Sequence, residues 1–145
     1  MQRIESVVQM DATPEQVWRV LVDFAAYPEW SPTLTIAGRP EAGQRLRLTA
    51  AAPGEKGMRF RPLVLAAEPA RLLRWRGRVL LPGLCDAVHE FVLTPRDGGT
   101  RLVHGESFSG LLVPFLGRKL AETEQGLRKQ NAALQRRVEG LVVSA

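Results

Sequence analysis

The longest regular pattern of apolar positions lies at the end of the chain. Leu116, Leu120, Leu127, Leu134, Val138 and Leu141 follow one another at separations of 4, 7, 7, 4 and 3 residues, which keeps them on one face of a helix. Arg118, Lys119, Glu122, Glu124, Arg128, Lys129, Gln130, Arg136 and Arg137 supply the solvated face, while Thr123 and Asn131 interrupt the apolar one. An apolar turn over residues 111–117 leads into this segment. At about 1.5 Å per residue the helix is expected to run roughly 45 Å, more than the width of a small domain. One short, twice-interrupted stripe makes a poor coiled-coil seam, so the helix should lie across a sheet.

The preceding residues supply that sheet. Residues 3–10 alternate Ile4 and Val8 with Glu5 and Gln9, the pattern of a first strand. Thr13 is placed to cap a helix that has Pro14 at its first position and Glu15 and Gln16 at its positive end. Val17, Trp18, Leu21 and Val22 form its buried face. A second short helix carries Phe24, Tyr27 and Trp30 and breaks at Pro28 and Pro32. Six strands are expected over residues 33–38, 44–51, 57–67, 71–80, 84–94 and 100–109, punctuated by Pro53-Gly54, Glu68-Pro69, Pro82-Gly83 and Asp97-Gly98-Gly99. Their short connections imply an antiparallel meander. The fold class is therefore α+β: a strand, two short helices, six strands and a long closing helix.

Strand parity separates an inner from an outer face. Arg45, Arg47, Arg59, Arg61, Arg74, Arg76 and Arg78 recur at period two, and Leu46, Leu48, Met58, Phe60, Leu73, Trp75 and Val79 take the other parity. In the last hairpin, a turn at Asp97-Gly98 gives a register in which Leu93 faces Leu102, Phe91 faces His104 and His89 faces Glu106. Leu93, Leu102, Phe91 and Phe108 mark this as the apolar face. Both histidines and one carboxylate would then point into an apolar interior, on adjacent rungs with about 5 Å between paired residues.

Composition adds limits. The chain has 145 residues, 45% hydrophobic and 24% charged, enough for one domain over residues 1–145 with a core and space for a cavity. A lone cysteine, Cys85, excludes an internal disulfide and fits a reducing compartment. The first residues do not read as a signal peptide, and no run reaches the roughly 18–20 apolar residues of a membrane span, so a cytoplasmic location is expected. A net charge of +5 admits a polyanionic partner. The arginine stripe can be a solvated face or a contact for anionic lipid. Nucleic acid is disfavoured, because Phe60 and Trp75 face away from the arginines rather than interleaving with them.

Three readings remain open for His89 and Glu106. They can form a hydrogen-bonded core pair that satisfies its own desolvation. They can be polar handles that orient a ligand in a greasy pocket. One of them can serve as a general acid or base. A metal site is not expected, since a flat hairpin does not bring ligands to the 2.0–2.2 Å convergence it needs, and no cofactor motif is present. Cys85 lacks a basic neighbour to activate it, and Ser107 and Ser109 lack a nucleophile-elbow context.

Three segments carry a family resemblance: the Val-Asp-x-x-x-Tyr-Pro-Glu-Trp-Ser-Pro stretch over residues 22–32, the Leu-Arg-Trp-Arg-Gly strand over 73–77, and Gly-Thr-Arg-Leu-Val-His-Gly-Glu-Ser-Phe-Ser-Gly-Leu-Leu-Val-Pro over 99–114. They resemble the START-like superfamily, and within it the bacterial polyketide cyclase/dehydrase-type proteins known as SRPBCC domains. The resemblance spans essentially the whole chain. It implies a helix-grip fold: a curved, seven-stranded antiparallel sheet wrapped around a long C-terminal helix, with two short helices between strands 1 and 2. It implies a cavity for a lipid, quinone or polyketide-like molecule, lined by Trp30, Phe60, Trp75, His89, Phe91, His104, Glu106, Phe108, Phe115, Leu120 and Leu127. No catalytic residue set of a known cyclase maps onto the chain, leaving His89 and Glu106 as the candidates. The expected function is hydrophobic-ligand binding. The alternatives are cyclisation or dehydration of a polyketide-like substrate, and a membrane-surface or interaction module using the arginine-rich face. The resemblance leaves monomer and homodimer equally open.

Overall fold

A computed structural model describes residues 1–51, 56–79 and 81–144. Residues 52–55, 80 and 145 and the side chain of Val79 lie outside the described residues, and with them the Pro53-Gly54 turn signal, the inward direction expected of Val79 and the strand end expected at Leu80. The chain runs β1 (Gln2–Met10), α1 (Pro14–Val22), a 3₁₀ segment (Phe24–Glu29), β2 (Leu34–Ala37), β3 (Arg47–Ala50), β4 (Met58–Phe60), β5 (Leu63–Glu68), β6 (Leu72–Val79), β7 (Cys85–Arg96), β8 (Gly99–Ser109), a 3₁₀ turn (Val113–Phe115) and α2 (Gly117–Ser144).

Thr13 caps α1. Its hydroxyl accepts from the Gln16 backbone N–H at 3.2 Å, and the Gln16 side chain accepts from the Thr13 N–H at 2.8 Å, so two orphan donors are satisfied reciprocally. The second short helix is 3₁₀ rather than α. Pro28 lies inside it and can donate nothing to an i→i−4 ladder. Tyr27, buried there, donates its hydroxyl to the Leu21 carbonyl at 2.6 Å, which ties the segment back onto α1.

The strands form a curved antiparallel α+β arrangement in two sheets, β1-β8-β7-β6-β5 and β2-β3-β4. This corrects the expectation of one seven-stranded sheet. The run over 57–67 divides into β4 and β5 because Pro62, between them, has no N–H for the ladder. The register nonetheless continues past the break: Arg45 bridges Leu63, the Leu46 N–H donates to the Pro62 carbonyl at 2.9 Å, and the Val64 N–H donates to the Gln44 carbonyl at 2.9 Å. The backbone thus carries the curvature from one sheet into the other.

Inner-face parity holds for Leu46, Leu48, Leu73 and Trp75, all buried, while the seven arginines lie on the opposite face. Met58 is an exception at 47% exposure, because β4 is a three-residue edge strand with no neighbour to cover it. On the outer face, Glu90 accepts from Arg3 at 2.9 Å and from Arg74 at 3.0 Å. Gly105 makes room for this bridge, since a Cβ there would meet the Arg3 guanidinium at 2.2 Å.

Helix α2 packs along β1 and against α1. Leu127, Leu134 and Val138 are buried and Leu116 and Leu120 partly so; Gln130, expected on the solvated face, is buried too, because its side-chain oxygen accepts from the Ser31 and Thr33 hydroxyls at 2.9 and 3.2 Å. Leu141 leaves the expected stripe at 47% exposure, because Val142, four residues after Val138, takes the core-facing place. Two apolar clusters result. The larger runs from α1 through Leu73, Trp75, Phe91, Leu93 and Leu102 to Leu134 and Val138. The smaller gathers Cys85, Phe108 and Val113 with Ile4, Leu116 and Leu120 around it.

Candidate ligand site

The β7–β8 register places Leu93 opposite Leu102, Phe91 opposite His104 and His89 opposite Glu106. It follows from the tight turn, where Asp97 and Gly98 adopt φ of 50° and 75°. Neighbouring strands extend these pairs into rungs that cross the sheet. One rung reads Trp75, His89, Glu106, Ile4 and the next Leu73, Phe91, His104, Ser6. A third, Gly77, Ala87, Phe108, Gln2, carries two small residues, and a Cβ at Gly77 would meet nothing within 4 Å. The polar rung therefore sits between the two apolar clusters.

A chain of polar contacts runs inward from it. His89 Nδ1 lies 3.4 Å from Glu106 Oε2, with these side chains 12% and 15% exposed. His89 Nε2 hydrogen-bonds His104 Nε2. His104 Nδ1 lies 2.7 Å from Asn131 Oδ1, and Asn131 Nδ2 donates to the Ser6 carbonyl at 3.3 Å. Aromatic rings wall the histidines: Trp75 stacks on His89 at 4.9 Å and Phe91 on His104 at 4.1 Å between ring centres. Burial holds the His104 ring well below the usual histidine pKa, the neighbouring His89 adds to this, and the Asn131 hydrogen bond opposes it. Burial also pushes the Cys85 thiol up, with Asp86 and then Glu106 contributing in the same direction. That leaves Cys85 a packed apolar residue rather than a nucleophile.

A concavity of about 330 Å³ opens between β1 and the first turns of α2, lined by Gln2, Ile4, Val113, Pro114, Gly117, Leu120, Ala121 and Glu124. Its Ile4 is the register partner of Glu106, but of the eleven residues expected to line a cavity only Leu120 borders it. The volume lies at the lower end of the roughly 300–1,000 Å³ that small-molecule pockets occupy.

Of the eleven residues expected to line a cavity, Trp75, His89, Phe91, His104 and Glu106 form one contiguous group. Phe108 and Leu120 sit together in the smaller cluster, and Leu127 is buried on α2. Phe60 and Trp30 pack partly buried on the larger cluster, and Trp30 lines a separate concavity of about 150 Å³ with Arg19, Asp23 and Arg137. Phe115 does not face inward: it is 83% exposed, because the 3₁₀ turn directs Val113 into the core and Phe115 outward. Asn131 was missing from the expected lining. Its signal was the amide that breaks the apolar stripe of α2 one turn from Leu127 and Leu134.

Known proteins share this fold. A family model described as polyketide cyclase / dehydrase and lipid transport matches residues 1–139. No protein of curated function matches the sequence. Among solved structures, MLL2253 from Mesorhizobium loti superposes with a TM-score of 0.74 at 24% identity, covering 93% of this chain and 95% of that one. Ara h 8.0201 superposes with a TM-score of 0.65 at 18% identity over 99% of each chain. DynU16, a protein in the dynemicin biosynthetic locus, gives a TM-score of 0.74 at 21% identity, covering 96% of this chain, which spans only 48% of DynU16. These superpositions establish a common fold, and the family model's match over nearly the whole length establishes the kinship: the chain belongs to the polyketide cyclase / dehydrase and lipid transport family.

Proposed function

We propose that the protein binds one small hydrophobic molecule between the inner face of the sheet and α2, oriented by Glu106 and His89. The observation that carries this reading is the polar rung itself. A carboxylate and an imidazole sit 3.4 Å apart, between two apolar clusters, and keep 15% and 12% of their side-chain surface accessible. Apolar walls with a few convergent polar atoms are what a small ligand needs. The family's link to lipid transport and cyclisation supports the same class of molecule.

The test uses two flat probes that differ in one hydroxyl, naphthalene and a naphthol, read through quenching of tryptophan fluorescence. Glu106→Gln is expected to weaken the naphthol about tenfold and leave naphthalene unchanged, as befits loss of one charge-assisted hydrogen bond. Equal loss for both probes, or no binding of either by the parent protein, contradicts the reading.

A second reading is favoured by the run of contacts behind Glu106 and by the likeness to a protein from a biosynthetic locus. In it, the Glu106 carboxylate takes a proton from a carbon next to a ketone, the C–H electron pair becomes an enolate, and the proton later returns to the product. Glu106→Gln then lowers turnover by about tenfold or more while the fold survives.

A further inference from the structure

The polar chain ends on a backbone carbonyl, and that end fixes its direction. The Ser6 carbonyl can only accept, so the Asn131 amide nitrogen faces it at 3.3 Å and the amide oxygen is turned to His104 Nδ1 at 2.7 Å. The opposite orientation of the amide would set two oxygens against each other. His104 Nδ1 must therefore carry the hydrogen. The His104 ring is fully buried and its only hydrogen-bond partners among the described residues are Asn131 and His89, so it is neutral and its Nε2 offers only a lone pair. His89 Nε2 must then carry a hydrogen to make the contact between the rings. This leaves His89 Nδ1 with a lone pair, 3.4 Å from Glu106 Oε2.

We propose that Asn131 is a positioning residue that, through His104 and His89, sets which atoms donate and which accept where Glu106 meets a ligand. His89 Nδ1 then meets a ligand as an acceptor beside the Glu106 carboxyl, whereas the opposite tautomer would make it a donor. A ligand hydroxyl is matched there, and a ligand carbonyl is not. The consequence for ligands rests on the reading of the interior as a binding site. The hydrogen-bond direction does not, because it belongs to the empty protein.

The chain has only two histidines, which makes the experiment clean. Long-range nitrogen NMR of the imidazole rings, in the protein without ligand at neutral pH, reports which nitrogen of each ring is protonated. In the parent protein His104 is expected wholly as the Nδ1–H form, with His89 protonated at Nε2. In Asn131→Leu, which keeps the volume and removes the acceptor, His104 is expected to move toward the Nε2–H form and His89 toward Nδ1–H. A residue of merely structural importance would lower stability without exchanging these signals. His104 protonated at Nε2 in the parent protein overturns the proposal, as does a His89 pattern unchanged in a folded Asn131→Leu. Should that variant not fold, the parent spectrum alone decides. Failure of the probe-binding test leaves these spectra as they are, so the two claims fall separately.

Discussion

Phe91→Ala is expected to destabilise the protein by about 3–5 kcal/mol, the range for truncating a buried aromatic side chain. Phe91 is 1% exposed and touches both halves of the account. It belongs to the larger core cluster, and its ring stacks on His104 at 4.1 Å, lies 5.2 Å from His89 and 5.6 Å from Trp75. Removal leaves a void bordered by two imidazole rings and an indole, which packed walls cannot close fully. A domain of this size has about 5–15 kcal/mol in total, so the shift in urea midpoint should be large with the slope unchanged. A loss below about 1 kcal/mol would show that this part of the interior is loosely packed, contrary to the description above.

Acid is expected to destabilise the protein through His104. The folded ring titrates well below 6.5, chiefly because burial penalises the cation. Below pH 6.5 the unfolded chain therefore binds a proton at this position that the folded chain does not. Stability then falls progressively more steeply as pH drops below 6.5, until the folded ring itself protonates. Carboxylates contribute their own slope in acid, so the comparison is with His104→Asn, whose amide nitrogen can replace Nδ1 as the donor to Asn131. The parent protein should lose stability more steeply than this variant as pH falls below 6.5. Parallel pH curves for the two would mean that His104 protonates freely in the folded state.

The parts of this arrangement written in local pattern were legible before any coordinates. The Asp97-Gly98 turn permits few registers, and the one that turns Leu93 and Leu102 inward necessarily brings His89 to Glu106 and Phe91 to His104. The Thr13-Pro14 start of α1 was equally explicit, since capping chemistry acts within one turn. The strand over 57–67 was read as unbroken because its alternation persists through Pro62, whose effect is a missing hydrogen-bond donor rather than a change of pattern. Phe115 was misplaced because a 3₁₀ turn advances the chain by three residues per turn and shifts the phase of the apolar face. Asn131 shows the deeper limit. Its place on the helix stripe is plain in the sequence, but its partner His104 lies 27 residues away on β8. No local period sets how far a helix slides along a sheet, so that meeting emerges only from packing.

The central claim is that the interior holds an apolar molecule, and native mass spectrometry of freshly purified protein tests it most directly. The expected spectrum contains the 16.0 kDa chain together with a species heavier by one small molecule, which organic solvent extracts and which, added back, restores the complex and shifts the tryptophan emission. A bare chain, with neither mass nor emission moved by naphthalene, a naphthol or a lipid extract, would contradict the account and leave His89 and Glu106 as a polar pair of the core.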